Sequence, residues 1–218
     1  VTLDSAGNLY GTTAGGGAQD GGVVYKIDSA GHETVVYRFT GGAEGPGGWT
    51  PSSGVIRDAE GDLYGTTEFG GRDYEGVVYK LDTSGNETVL YSFTGGDSDG
   101  GYPFGDLVRD PAGNLYGTSR AGVYMLDTTG RPTLLHAFRR ANGGVIRDPA
   151  GNLYGVNGNA VYMLDTGGQL RVLYDFENFA SGSGPTGVIR DDSTGEIYGT
   201  TYQGGENGAG VVFALTPQ

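Results

Sequence analysis

The phrase Gly-x-Leu/Ile-Tyr-Gly occurs five times in 218 residues: GNLYG from Gly7, GDLYG from Gly61, GNLYG from Gly113, GNLYG from Gly151 and GEIYG from Gly195. The copies lie 54, 52, 38 and 44 residues apart, and text repeated at such intervals must build the same supersecondary unit each time. The same order surrounds each copy: a short apolar run ending in Asp, a Gly turn, LYGT, a variable stretch, a VVYKLD-like run, another Gly turn and a VLYSF-like run. That is four short strands per unit. A sheet so small cannot bury both faces alone, and repeated sheets of this size stack around an axis as blades. The prediction is an all-β fold, a five-bladed β-propeller of four-stranded blades. It forms one domain over 1–218, with blades near 1–40, 54–94, 105–139, 143–176 and 187–215.

Composition narrows the alternatives. Gly supplies 45 residues but without the every-third-residue period of collagen, and strands rich in Val, Tyr and Leu do not belong to a disordered Gly-rich tail. With no Cys, disulfides, thiolate metal sites and cysteine nucleophiles are excluded. A formal charge of −13 opposes binding to a phosphate backbone, so nucleic acid is not an expected partner. No stretch approaches the length of apolar residues that spans a bilayer, so no membrane insertion is expected. A first residue of Val rather than Met fits a processed or trimmed chain, and an extracellular or cell-surface location is expected.

In the second unit the strands, A to D, are expected at 55–58, 63–67, 77–82 and 88–93. Asp and Gly in DAEG and DTSGN suit tight turns that need a side-chain acceptor and a positive φ. Tyrosines repeated at one position in strand B (Tyr10, Tyr64, Tyr116, Tyr154, Tyr198) and aromatics in strand C (Tyr25, Tyr79, Tyr124, Tyr162, Phe213) read as packing between neighbouring sheets, as do Phe39, Phe93, Phe138 and Phe176. Arg57, Arg109, Arg147 and Arg190 share a strand-A position, each followed by Asp. Because adjacent strand residues face opposite ways, a ring of ion pairs between blades is expected; the alternative is convergence on an anion at the axis. The chain reaches Gln218 with only three strands of the fifth unit accounted for. Three solutions stay open: a three-stranded last blade, closure without strand exchange, or membership of a longer array. An unpaired edge there invites self-association, a homo-oligomer through the fifth blade.

A four-stranded meander sends its A–B and C–D turns to one end and its B–C and D–A connections to the other. The long, irregular segments all belong to the second class, so function is expected there. Aromatics outside the repeat gather in these loops, and the candidate ligand-binding residues are Trp49, Tyr74, Tyr102, Phe104, Phe179 and Tyr202 with Glu44, Asp73 and Glu206. They form either a lid over the barrel end or a stacking platform for sugar rings. Short links in the third and fourth units leave one side of the face low, with Arg120, Arg139, Arg140 and Asn157 on it. No cofactor motif is present; Asp97 and Asp99 in GGDSDGGYP are candidate calcium ligands, although the full calcium-loop pattern is missing. His32 and His136 are isolated, so no histidine relay is expected, and no particular carboxylate pair for glycoside hydrolysis stands out.

The unit SFTGGDSDGGYPFGDLVRDPAGNLYGTS, followed in other copies by GGVVYKLD and ETVLYSF, resembles the GloVer tandem repeat of bacteria, and the likeness runs from Val1 to Leu215. The resemblance implies a secreted or surface-anchored propeller, brings no catalytic residues to particular positions, and suggests an excised domain or a compact relative. Three functions compete: a lectin-like, extracellular propeller that binds a glycan, glycoconjugate or surface polymer; a structural or self-assembling surface protein; and a carboxylate-dependent carbohydrate-active enzyme. The inventory favours a non-enzymatic role.

Overall fold

The computed structural model describes residues 1–17, 19–40, 47–138, 143–177 and 179–216. Sheet 1 is an antiparallel meander of β1 (Thr2–Leu3), β2 (Leu9–Thr13), β3 (Val23–Ile27) and β4 (Glu33–Arg38). A short β5 (Gly48–Trp49) leads to sheet 2, made of β6 (Ile56–Arg57), β7 (Leu63–Thr67), β9 (Val77–Leu81) and β10 (Glu87–Ser92). Between them β8 (Phe69–Gly70) leaves the sheet to pair with β5. Sheet 3 contains β11 (Phe104–Arg109), β12 (Leu115–Ser119), β13 (Gly122–Leu126) and β14 (Pro132–Ala137). Sheet 4 contains β15 (Ile146–Arg147), β16 (Leu153–Asn157), β17 (Ala160–Leu164) and β18 (Leu170–Asp175). Sheet 5 has three strands, β19 (Ser183–Arg190), β20 (Ile197–Gln203) and β21 (Val212–Leu215), and no fourth among the described residues.

The repeated letters have local physical causes. Each strand-B glycine faces a strand-C aromatic across the ladder, Gly11 opposite Tyr25 and Gly155 opposite Tyr162. A Cβ at either glycine would lie 2.5 Å from that tyrosine's hydroxyl oxygen, so LYG marks where a ring lies over the neighbouring backbone. The turn aspartates act as clasps. Asp4 accepts hydrogen bonds from the backbone N–H of Ala6 and Asn8 and from the Asn8 amide, each at 2.9 Å, and Gly7 in the same turn has φ +80°. In all four four-stranded sheets the pairing of strands C and D shifts register at one residue, a bulge at Val36, Leu90, Leu135 and Leu173.

Four hydrophobic clusters lie between consecutive sheets, 1 and 2, 2 and 3, 3 and 4, and 4 and 5. The phenylalanine closing one unit meets the strand-C aromatic of the next: Phe39 and Tyr79 at 5.1 Å, Phe93 and Tyr124 at 5.3 Å, Phe138 and Tyr162 at 4.8 Å, Phe176 and Phe213 at 5.1 Å. The aromatics thus interlock neighbouring sheets, as their repetition implies. Among the described residues no cluster joins sheet 5 to sheet 1, and Val212 and Val1 are 81 % and 77 % exposed.

The strand-A arginines depart from the expected ion pairs. Arg57, Arg109 and Arg190 lie over the strand-B tyrosine ring of the preceding sheet, at 5.9, 5.6 and 5.7 Å from Tyr10, Tyr64 and Tyr154. Each of those tyrosines donates its hydroxyl to the strand-A aspartate of its own sheet, Asp4, Asp58 and Asp148. The ring stands between guanidinium and carboxylate, so the contact between sheets is cation–π rather than a direct ion pair. Nor do the guanidinium groups converge on the axial cleft described below, which contains none of them.

Candidate functional site

The starts of the innermost strands meet at one end of the axis, the end that also carries the B–C and D–A connections. Glycines let these segments approach: a Cβ on Gly105 would collide with the backbone of Gly144, and one on Gly143 would come 2.6 Å from the Thr186 carbonyl oxygen. Threonines of the LYGT text tie the same segments together. Thr12 donates to the Ser53 carbonyl at 2.6 Å, and the Thr118 hydroxyl is shared between the carbonyls of Phe104 and Gly143, at 2.6 and 2.8 Å. A cleft of about 450 Å³ results. It is lined by Ser52, Ser53, Phe104, Asp106, Val145 and Thr186 together with the backbone of Gly54, Gly105, Gly144 and Gly187.

Among the described residues Asp106 is the only charged side chain in that lining; it is exposed and accepts the Gly54 N–H at 2.6 Å. It stands where the other units place Gly54, Gly144 and Gly187, directly before the apolar residue that opens strand A. Asp106, Ser52, Ser53 and Thr186 are not among the residues the repeat text points to, because strand A reads as scaffold; the signal for Asp106 is the single break in the repeated glycine. Of the aromatics predicted for a site, only Phe104 lines this cleft.

Trp49 and Tyr102 belong to a separate row beside it. Trp49 on β5 stacks on Phe69 of β8, with ring centres 4.8 Å apart and planes at 24°. Phe69 meets Tyr102 edge-on at 5.6 Å, and the exposed Arg120 guanidinium lies 5.4 Å from the Tyr102 ring. The three rings are half-buried, Trp49 packs against the core between sheets 1 and 2, and its indole N–H is buried without a partner among the described residues. The row is therefore part lid and part surface.

The remaining predicted residues are dispersed. Asp73 is exposed and Tyr74 is 51 % exposed with φ +63°, both in the B–C connection of sheet 2. Phe179 and Tyr202, 57 % and 75 % exposed, lie on sheet 5 and its approach with the exposed Glu206, and neither ring joins the aromatic row. Glu44, Arg139 and Arg140 lie outside the described residues.

The candidate calcium pair separates. Asp97 is exposed, whereas Asp99 is 2 % exposed and turns one carboxylate oxygen inward to accept from the Tyr91 hydroxyl and the Thr94 N–H, each at 2.7 Å, and from the Thr94 hydroxyl at 2.9 Å. Burial, together with the carboxylate beside it, pushes the Tyr91 hydroxyl well above its ordinary range. Asp99 is a clasp for the D–A connection, and among the described residues no three His, Cys, Asp or Glu side chains gather as a metal group.

A comparison with curated proteins gives no sequence match. Among solved structures the chain is similar in fold to virginiamycin B lyase from Staphylococcus aureus, with TM-score 0.59, 14 % identity, and coverage of 97 % of this chain and 68 % of that one. A gluconolactonase from Xanthomonas campestris gives TM-score 0.64 at 15 % identity over 99 % and 70 % of the two chains. PorZ, a surface component of the type-IX secretion system of Porphyromonas gingivalis, gives 0.56 at 15 % identity over 98 % and 31 %. At these identities the likeness establishes a β-propeller type of fold and nothing of the chemistry. A repeat-family profile matches residues 1–159, ending within sheet 4, so the fifth copy rests on its own text and sheet. The chain belongs to the Gloeobacter/Verrucomicrobia repeat family.

Proposed function

We propose that the five sheets are propeller blades of an extracellular bacterial protein that binds a glycan or glycoconjugate in the axial cleft, with the Trp49, Phe69 and Tyr102 row as an adjoining wall. The observation that carries this reading is the presence of Phe104 and Asp106 in one cleft, Asp106 standing where the other units have Gly54, Gly144 and Gly187. An aromatic face beside a carboxylate and hydroxyls of Ser52, Ser53 and Thr186 suits a sugar ring, whose C–H face stacks while its hydroxyls donate. Virginiamycin B lyase and gluconolactonase are enzymes, but among the described residues this cleft offers one carboxylate, where glycoside hydrolysis uses two. Binding is therefore favoured over hydrolysis. An extracellular setting agrees with the surface location that PorZ has.

The test is a glycan-array screen of the full chain, followed by calorimetric titration of the leading hit. Phe104→Ala and Asp106→Asn are each expected to weaken binding by about tenfold or more, while Val172→Ala, on an exposed outer strand, leaves it unchanged. No hit on the array, or full affinity in both cleft variants, overturns the proposal.

A further inference from the structure

We infer that the five sheets form an open arc, and that each end face is one unpaired half of the repeated interface, built to seat a further sheet of this same repeat. The four internal interfaces define what each half contains. The leading half brings a strand-C valine, and Val24, Val78, Val123 and Val161 are all fully buried; their counterpart on sheet 5, Val212, is 81 % exposed. The trailing half brings the first residue of strand A, and Val55, Leu107, Val145 and Val188 are 2 to 8 % exposed; their counterpart on sheet 1, Val1, is 77 % exposed.

Other details of the interface repeat the contrast. Thr118 ties its own sheet to the approach to strand A of the next, whereas Thr200 is exposed and, among the described residues, its hydroxyl bonds within sheet 5, to Thr186. A Cβ at Gly54 would lie 3.0 Å from the Asp106 side chain of the next sheet, while one at the equivalent Gly187 would meet nothing within 4 Å. Ile189, Tyr198 and Val212 line a groove of about 420 Å³ on this face.

The chemistry of the missing partner follows from the interfaces already formed. Tyr198 offers the ring on which an arginine of the next sheet lies in three of them, so the occupant brings a strand-A arginine. Sheet 1 of a second copy would bring Leu3 instead, which makes a sheet like sheets 2 to 5 the better complement. The propeller folds it resembles agree, since matches spanning 97 to 99 % of this chain span 68 to 70 % of the lyase and the lactonase.

Hydrogen exchange on the unaltered chain is the first measurement. Amides of β20 and β21 are expected to exchange faster than those of β16 and β17; equal protection at Val212 and Val161 overturns the inference. The second measurement extends the chain, placing a copy of residues 82–138 directly after Leu215 to supply a fourth strand for sheet 5 and one whole sheet with its arginine. The thermal midpoint is expected to rise by about 5 °C or more, with slowed exchange at Thr200 and Val212. Both gains are lost when the appended copy carries Leu107→Asp. A folded extension that leaves exchange at Val212 unchanged overturns the inference, as does an unextended chain whose sedimentation shows a stable oligomer protecting Val212, because the occupant is then a second copy.

Discussion

At the scale of single residues, the repeat spends its invariant letters on fitting aromatics between backbones. The hydroxyls of Tyr79, Tyr124 and Tyr162 are buried without a partner among the described residues, and sheet 5 carries Phe213 at the same position. A buried donor left unpaired costs about 1–3 kcal/mol, so Tyr79→Phe is expected to be neutral or stabilising in chemical denaturation; a loss above about 1 kcal/mol would show that the hydroxyl has a partner. The clasp aspartates predict the acid limit. Hydrogen bonds from Asn8 hold Asp4 down at about 2 against an ordinary 3.8. Asp28, Asp82, Asp127 and Asp191 are lowered by their turn donors, and Asp110 and Asp148 are lowered as well, those donors outweighing the opposing effect of burial. A carboxyl whose folded pKa lies below its unfolded one stabilises the fold above the unfolded value, and that contribution is lost as pH falls through the folded one. Thermal midpoints should therefore hold above pH 5 and fall steeply between about pH 4 and pH 2, the fall being shallower in Asp148→Asn.

At the scale of elements, strand positions were the most legible feature. The second unit was expected at 55–58, 63–67, 77–82 and 88–93 and contains strands at Ile56–Arg57, Leu63–Thr67, Val77–Leu81 and Glu87–Ser92. Alternation and Asp-Gly turns suffice for this because they act within a few residues. The bulge in strand D and the β5–β8 pair were not legible, since the first depends on packing against the next sheet and the second joins segments distant along the chain, Gly48 with Gly70 and Trp49 with Phe69. Thr118 belongs to this scale, as its hydroxyl links β12 to the starts of two innermost strands. Thr118→Val keeps the shape and leaves those carbonyls without the donor, with an expected cost of about 1–3 kcal/mol. A second clasp, Asp99→Asn, is expected to lower the thermal midpoint by the same amount with or without added calcium. A midpoint that rises with calcium in the parent and not in the variant would instead make Asp99 a cation ligand.

At the scale of the whole molecule, stability follows the logic of a repeat array, a sum of sheets and the interfaces between neighbours. An end sheet has one interface and an internal sheet two. Val161→Ala, at the junction of sheets 4 and 5, is expected to cost about 2 kcal/mol, whereas Val212→Ala on the open face stays within about 0.5 kcal/mol. Guanidinium denaturation of the two variants checks this, and equal losses would mean that Val212 is covered in solution. The exposed Val1, Leu3, Ile189 and Val212 also make the two ends the surfaces most prone to association.

The sequence by itself determined the repeat, the strand order within each sheet, the turn clasps and the aromatic interlock, because each follows from spacing along the chain and from contacts that every copy makes alike. Only the tertiary structure decided which loop residues meet. It placed Phe104 with Asp106 at the axis, put Trp49 and Tyr102 in a neighbouring row, and turned Asp99 inward away from Asp97. It also left Val1 of sheet 1 and Val212 of sheet 5 exposed where their counterparts are buried. The physical reason is one of range: a repeated pattern specifies the contact of each sheet with the next, whereas curvature summed over five sheets, and the meeting of segments far apart in the chain, exist only once all the interfaces have formed together.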